Sequence, residues 1–311
     1  MVQKDSLKPV IVVCGPTASG KTALSVQLAK YLDTSVISAD SIAVYKDLYI
    51  GTAKPDKKEM LGVTHYLIDY VDKDKDFTVA EYTKAAKGLI DRLHAENKVP
   101  IICGGTGYYI DSVLYNFSYG NCPKDDAVRE KYARIVREKG AKYLHSLLKE
   151  VDEASYDTLH ENDVVRVVRA LEIFELTGKK KSEIIDEKIP NYNYMAFSFR
   201  FDRQTLYDRI SARVDKMIEK GLIKEVKGLL SGGLDKNCQS MQAIGYKEVV
   251  EGLENGYTED EIKELIKKNT RRYAKRQITY FKRLENMRTL DPENYSFGQI
   301  IGDLKDGRII L

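Results

Sequence analysis

The stretch "GPTASGKT", Gly15 to Thr22, follows the apolar run Val10-Ile11-Val12-Val13 and leads into an amphipathic segment from Ala23 to Leu32. It fits G-x-x-x-x-G-K-[ST], a pattern whose glycines let the backbone wrap an anion. Strand, loop and helix in that order turn several backbone N–H groups toward one phosphate, and the helix N-terminus adds partial positive charge. Lys21 contributes a full charge, and Thr22 offers a hydroxyl to Mg²⁺. Gly15, Pro16, Thr17, Ala18, Ser19, Gly20, Lys21 and Thr22 are therefore candidate phosphate-binding residues. The fold they predict is α/β, a P-loop NTPase-like parallel sheet flanked by helices.

Two more apolar runs support that sheet. Val36 to Ala39 ends in Asp40-Ser41, and Val99 to Cys103 ends in Gly104-Gly105-Thr106-Gly107, with a helical pattern from Thr78 to Ala95 between them. Short strands alternating with helices predict a parallel sheet whose ligands sit at the strands' carboxyl ends. From about Asp125 to Lys181 the pattern changes to charged helices over 128–139, 141–149 and 164–176, which predicts an inserted all-helical lobe. Met195 to Phe199 reads as a return to the main sheet, and long helices from Gln204 to Met287 predict a helical C-terminal region. The expected division is a core of 1–120 and 191–311 with a lobe at 121–190.

With 311 residues, 43% of them hydrophobic, the chain can bury a sizeable core. Cys14, Cys103, Cys122 and Cys238 are far apart and show no metal-ligand spacing, so a reduced chain without a catalytic cysteine is expected. The charged N-terminus lacks a signal-peptide core, and no apolar run approaches the ~20 residues of a membrane span. A soluble, cytoplasmic monomer without membrane contact is the expectation.

The loop alone leaves the phosphate's owner open, because kinases, ATPases and GTPases share it. An ATPase usually carries an acidic Mg²⁺ ligand after a later strand, but here the strand ending at Cys103 runs into glycines. The strand-end carboxylate is Asp40, which reads as a Mg²⁺ organiser, a general base or, with Ser41, a helix cap. Between Lys263 and Arg288 lie ten basic residues against two acids, with Tyr273, Tyr280 and Phe281 interleaved. Lys268, Arg272, Lys275 and Arg276 fall on overlapping helix faces. That stripe reads as a nucleic-acid surface or, more plainly, as a solvated helix.

Taken with five further segments, the loop resembles the tRNA dimethylallyltransferase family over nearly the whole chain. The segments are Ser38 to Pro55 ("SADS" followed by "VYKDLYIGTAKP"), "GGTGYYI" (104–110), "ENDVVRVVRALEI" (161–173), "SMQAIGYKE" (240–248) and "TRRYAKRQITYFKR" (270–283). The resemblance implies that the loop holds the diphosphate of dimethylallyl diphosphate while N6 of adenosine 37 of a tRNA attacks the allylic carbon. It implies Asp40 as the base, with Lys21, Thr22, Mg²⁺ and Arg209 of "LYDRI" neutralising the leaving group. It implies contacts to the tRNA anticodon stem-loop from Asp40, Ser41, Ile42, Ala43, Thr106, Arg129, Val165, Arg166, Val167, Val168 and Arg169. Further such contacts are Gln242, Ala243, Ile244, Gly245, Tyr246, Lys247, Lys275, Arg276, Gln277, Ile278, Thr279, Tyr280, Phe281 and Lys282. Ile42-Ala43, Tyr280 and His65-Tyr66 depart from the commoner family residues, and Ala43 has no side-chain amide with which to read a base. An adenylate prenyltransferase, a P-loop small-molecule kinase and a nucleic-acid-binding ATPase without transferase chemistry are the competing readings.

Overall fold

The computed structural model describes residues 7–117, 122–184 and 188–310. Its centre is the strand that precedes the phosphate loop. β1 (Pro9–Cys14) is fully buried from Val10 onward, as expected of a parallel strand covered on both faces. α1 (Lys21–Tyr31), β2 (Val36–Ser38), the short α2 (Lys57–Met60), β3 (His65–Tyr66), α3 (Val79–Ala95), β4 (Ile101–Gly104) and α4 (Gly107–Leu114) follow in order. α3 begins at a capping box in which Thr78 and Glu81 satisfy each other's backbone N–H groups.

After the lobe the chain re-enters the sheet at β5 (Asn193–Phe199); the lobe holds α5 to α8, whose bounds are given below. The C-terminal region then runs through α9 (Arg203–Glu219), α10 (Leu222–Ser231), α11 (Tyr246–Asn255), α12 (Glu259–Phe281), β6 (Met287–Leu290) and α13 (Phe297–Asp306). The six strands are all parallel, in the order β3-β2-β4-β1-β5-β6. β1 pairs with β4 through Ile11–Ile101 and with β5 through Ile11–Met195. The carboxyl ends of β1, β2 and β4 therefore come together, where an open α/β sheet binds its ligands. Ile11, Val13, Leu24, Leu28, Phe197, Ile300 and Leu304 form the core beneath them.

The chain divides into two compact units, one of residues 1–114 and 190–311 and the other of residues 115–189. The expected boundary at 120/121 lies outside the described residues. In the smaller unit α5 (Asp126–Ser146) is two helical segments that meet at Gly140, whose φ of 82° and ψ of 166° are not helical, so the break expected between 128–139 and 141–149 is present. α6 (Leu148–Val151), α7 (Glu153–Thr158) and α8 (Val164–Thr177) complete it. Tyr132, Leu144, Leu148, Val167, Ala170 and Leu171 make a separate core. No helix among the described residues is long and apolar enough to cross a membrane.

Candidate active site

The phosphate loop is shaped by its own backbone. Gly20 caps α1 at φ 87°, a conformation a side chain would strain, and the adjoining Ala18 also has positive φ. Lys21 donates from Nζ to the Pro16 carbonyl at 2.6 Å, so the ammonium is folded back over the loop. Burial pulls its pKa below the ordinary lysine range; Arg213 adds to this, and Asp40 opposes it. Gln277 of α12 reaches the loop from the opposite end of the sequence, its Oε1 accepting from the Thr17 N–H at 3.0 Å.

Asp40 stands where β2 ends. Its Oδ1 accepts from the N–H groups of Ile42 and Ala43 at 2.9 and 3.1 Å, so one oxygen organises the turn 41–44 and fixes the carboxylate. Ile42 and Ala43 thus serve Asp40 through their backbones. Thr106, just past β4, accepts the Ser41 N–H on its hydroxyl at 3.0 Å and donates its own N–H to the Ala39 carbonyl. The ends of β2 and β4 are joined there.

These groups share one cavity of about 390 Å³, a size typical of small-molecule sites. Thr17, Lys21, Thr22, Asp40, Arg213, Tyr273 and Arg276 provide its polar lining, while Ile68, Ile210, Val214, Met217, Ile244 and Ile266 provide an apolar one. His65 also lines it. Its Nδ1 must carry the proton, because it points at the Val63 carbonyl at 3.0 Å, and Nε2 is buried without a partner among the described residues. Burial lowers the pKa of this ring and keeps it neutral.

The two arginines of "LYDRISAR" divide their work differently from expectation. Arg209 is exposed; its Nε donates to the Ala18 carbonyl at 2.8 Å and its guanidinium lies 4.9 Å from the Phe201 ring centre. It braces the loop from outside. Arg213, one helical turn later on α9, lines the cavity and has no ion pair or hydrogen bond among the described residues. Burial lowers its pKa, and the charge of Asp40 acts against that. The sequence reading missed it: the i, i+4 spacing puts both arginines on one helix face and does not say which meets the cavity.

The basic helix is less uniformly free than its composition predicts. Lys263 pairs with Asp260, Lys267 with Asp215 and Glu264, and Arg288 with Asp303, while Arg271 donates to the Ser211 hydroxyl. Lys268, Arg272, Lys275, Arg276, Lys282 and Arg283 remain exposed and outside any ion pair among the described residues. Thr279 and Ile278 share that exposure. Tyr280 packs its ring where a Gly107 Cβ would stand and donates its hydroxyl to Asp111 at 2.7 Å.

Six expected tRNA contacts have buried side chains: Ala43, Val167, Ala243, Tyr246, Gln277 and Phe281. For Val167, Tyr246, Gln277 and Phe281 the physical reason is helical period, which turns some positions of a contiguous run inward, whereas Ala43 and Ala243 are buried in non-helical backbone. Gly245 donates its N–H to Glu248 at the start of α11, Ile244 and Gln242 line the cavity, and Lys247 is exposed. In the smaller unit Val165 and Arg166 are exposed, whereas Arg129 and Arg169 both bond the fully buried Glu172 carboxylate. Burial alone would raise the Glu172 pKa, but the donors from Arg129, the Asp125 N–H and Arg169 together outweigh it and hold it at about 2.

A family model described as IPP transferase matches residues 43–284. The tRNA dimethylallyltransferase of Acetivibrio thermocellus is 44% identical, over 95% of this chain and 96% of its own. Among solved structures, the full-length tRNA isopentenylpyrophosphate transferase of Bacillus halodurans has a TM-score of 0.72 at 39% identity, covering 97% of this chain and 98% of that one. A eukaryotic dimethylallyltransferase, solved in crystallographic snapshots as acting on tRNA, has a TM-score of 0.81 at 28% identity, covering 97% of this chain and 79% of that one. Similarity of that extent, spread over both units of a chain with a phosphate loop and a strand-end carboxylate in one cavity, makes this chain a member of the IPP transferase family.

Proposed function

We propose that the chain transfers the dimethylallyl group of dimethylallyl diphosphate to N6 of adenosine 37 in tRNAs reading codons that begin with U. The observation that carries this reading is one cavity in which the phosphate loop with Lys21, the guanidinium groups of Arg213 and Arg276, the Asp40 carboxylate and an apolar lining meet. The apolar part of the lining suits a five-carbon chain attached to the diphosphate.

In the reaction the N6–C bond forms as the allylic C–O bond breaks. Asp40, held by two amides through Oδ1, keeps its other oxygen for the N6 proton. The loop N–H groups, Lys21, Thr22 and Arg213 receive the charge that develops on the diphosphate. Arg209, exposed and bonded to Ala18, steadies the loop instead. The base must leave its stack to reach this cavity.

Mg²⁺ fits as a substrate-borne ion. No group of three or more His, Cys, Asp or Glu gathers among the described residues, while the Thr22 hydroxyl and Asp40 carboxylate both line the cavity. Mg²⁺ commonly takes one or two protein oxygens and completes its shell with phosphates and water. When bound, it supplies countercharge to the diphosphate. The exposed cations of α12, with Lys247, are the surface this reading assigns to the tRNA anticodon stem-loop in a cytoplasmic, monomeric enzyme.

Incubating the protein with labelled dimethylallyl diphosphate and, in parallel, tRNA, AMP or ATP tests the reading. Label should move to tRNA alone, and Asp40→Ala should abolish the transfer while leaving tRNA affinity nearly intact. Label on AMP, or ATP consumption without transfer, would sink it.

A further inference from the structure

Gln277 lies on α12 between Arg276 and Ile278, both exposed, yet it is only 5% exposed itself. Its two amide atoms hold two different parts of the donor site. Oε1 accepts the Thr17 N–H of the phosphate loop at 3.0 Å, and Nε2 donates to the Gly105 carbonyl at 2.9 Å. The approach is built into the sequence, because a Cβ on Gly105 would stand 2.3 Å from Nε2. Next to Gly105, Thr106 bonds Ser41 at the edge of the Asp40 turn.

Thr17 N–H is one of the loop donors an anion would use, and it already has a partner from the RNA-facing helix. A buried N–H without a partner is costly, so the glutamine satisfies the loop when no diphosphate is present. The same bond competes with diphosphate for that donor. We propose that Gln277 is a positioning residue that couples the two substrates: RNA docking on α12 withdraws its amide from Thr17 and returns that N–H to the diphosphate. The inference rests on the tRNA prenyl-transfer reading given above. Linkage makes the effect reciprocal, so diphosphate tightens RNA by the same factor.

The experiment is calorimetric titration of inorganic diphosphate with Mg²⁺ into the full chain, alone and with saturating synthetic anticodon stem-loop RNA. In the native chain RNA should tighten diphosphate by about 5-fold or more, the lower range of measured couplings. In Gln277→Met, which keeps volume but removes the acceptor, diphosphate alone should bind as tightly as it does with RNA, and the ratio should fall to near unity. An unchanged ratio in the variant overturns the inference. A native chain that binds no RNA at all overturns the functional reading first. A second measurement does not depend on the variant folding: amide hydrogen exchange at Thr17 should rise when RNA is added without diphosphate, and unaltered exchange with bound RNA counts against the proposal.

Discussion

Arg213 in the cavity and the pair Arg129 and Arg169 in the lobe are all partly buried guanidinium groups, and they are satisfied in opposite ways. The lobe supplies its own anion: Glu172, with no exposed surface, takes both arginines at 2.5–3.0 Å. In the cavity the one lining carboxylate, Asp40, bonds backbone amides and forms no ion pair with Lys21 or Arg213 among the described residues. Lys21 falls back on a neutral carbonyl, and Arg213 has no partner among the described residues. A charge taken out of water without a counter-ion costs several kcal/mol, so such a site persists where a ligand provides the opposite charge. The difference separates arginines that complete the fold from one held ready for an anion.

The sharpest way to break that comparison is Arg213→Met. Loss of one charge-stabilising donor typically lowers kcat by about 10²–10³. Folding should not suffer, because an unpaired buried charge has been removed; the melting temperature should hold or rise. Single-turnover rates and thermal melts on the same preparation give both numbers. A variant that keeps its rate but melts early would make Arg213 a structural residue like those of the lobe.

Glu172→Gln should show the reverse pattern. It leaves two arginines without their anion and should destabilise the lobe by roughly 2–3 kcal/mol, below the full cost of breaking a buried pair because both arginines are partly exposed. The sign with pH follows from a folded pKa of about 2 against an ordinary value of 4.5. A depressed carboxylate pKa gives stability that is complete above the ordinary value and is lost as pH falls toward the folded one. Denaturant unfolding of the native chain should therefore weaken from about pH 4.5 down to about 2. In Glu172→Gln that component of the acid sensitivity should be absent.

The phosphate loop and Asp40 were legible because both are local: eight consecutive residues after an apolar strand, and a carboxylate at the end of the next. The choice between Arg209 and Arg213 was not, since i and i+4 share a helix face and only the tertiary position of α9 decides which turn meets the cavity. Gln277 was read as a surface contact; its partners lie 260 and 172 residues away, beyond any periodic signal. The edge strands β3 and β6 have two and four residues with mixed polarity, too short for alternation to register. On α12 the sequence counted charges without their mates. The acids of its first turn, Glu259, Asp260 and Glu261, favour the helix dipole, so part of the charge segregation is helix physics.

The smallest effect extends the same comparison along α12, where satisfied and unsatisfied cations alternate on one helix. Lys275 and Arg276 are exposed without an acid, whereas Lys263 is tied to Asp260 at 2.5 Å. If the former meet RNA phosphates, replacing both with alanine should lower the slope of log affinity against log salt by about 1.4, at roughly 0.7 per phosphate for single-stranded RNA. Lys263→Ala should leave the slope alone, because its charge is already balanced within the helix. Equal slopes in all three proteins would mean that exposure on this helix carries no information about RNA. A change confined to the Lys275 and Arg276 variant would show that the absence of a counter-ion, rather than the abundance of positive charge, marks where each substrate binds.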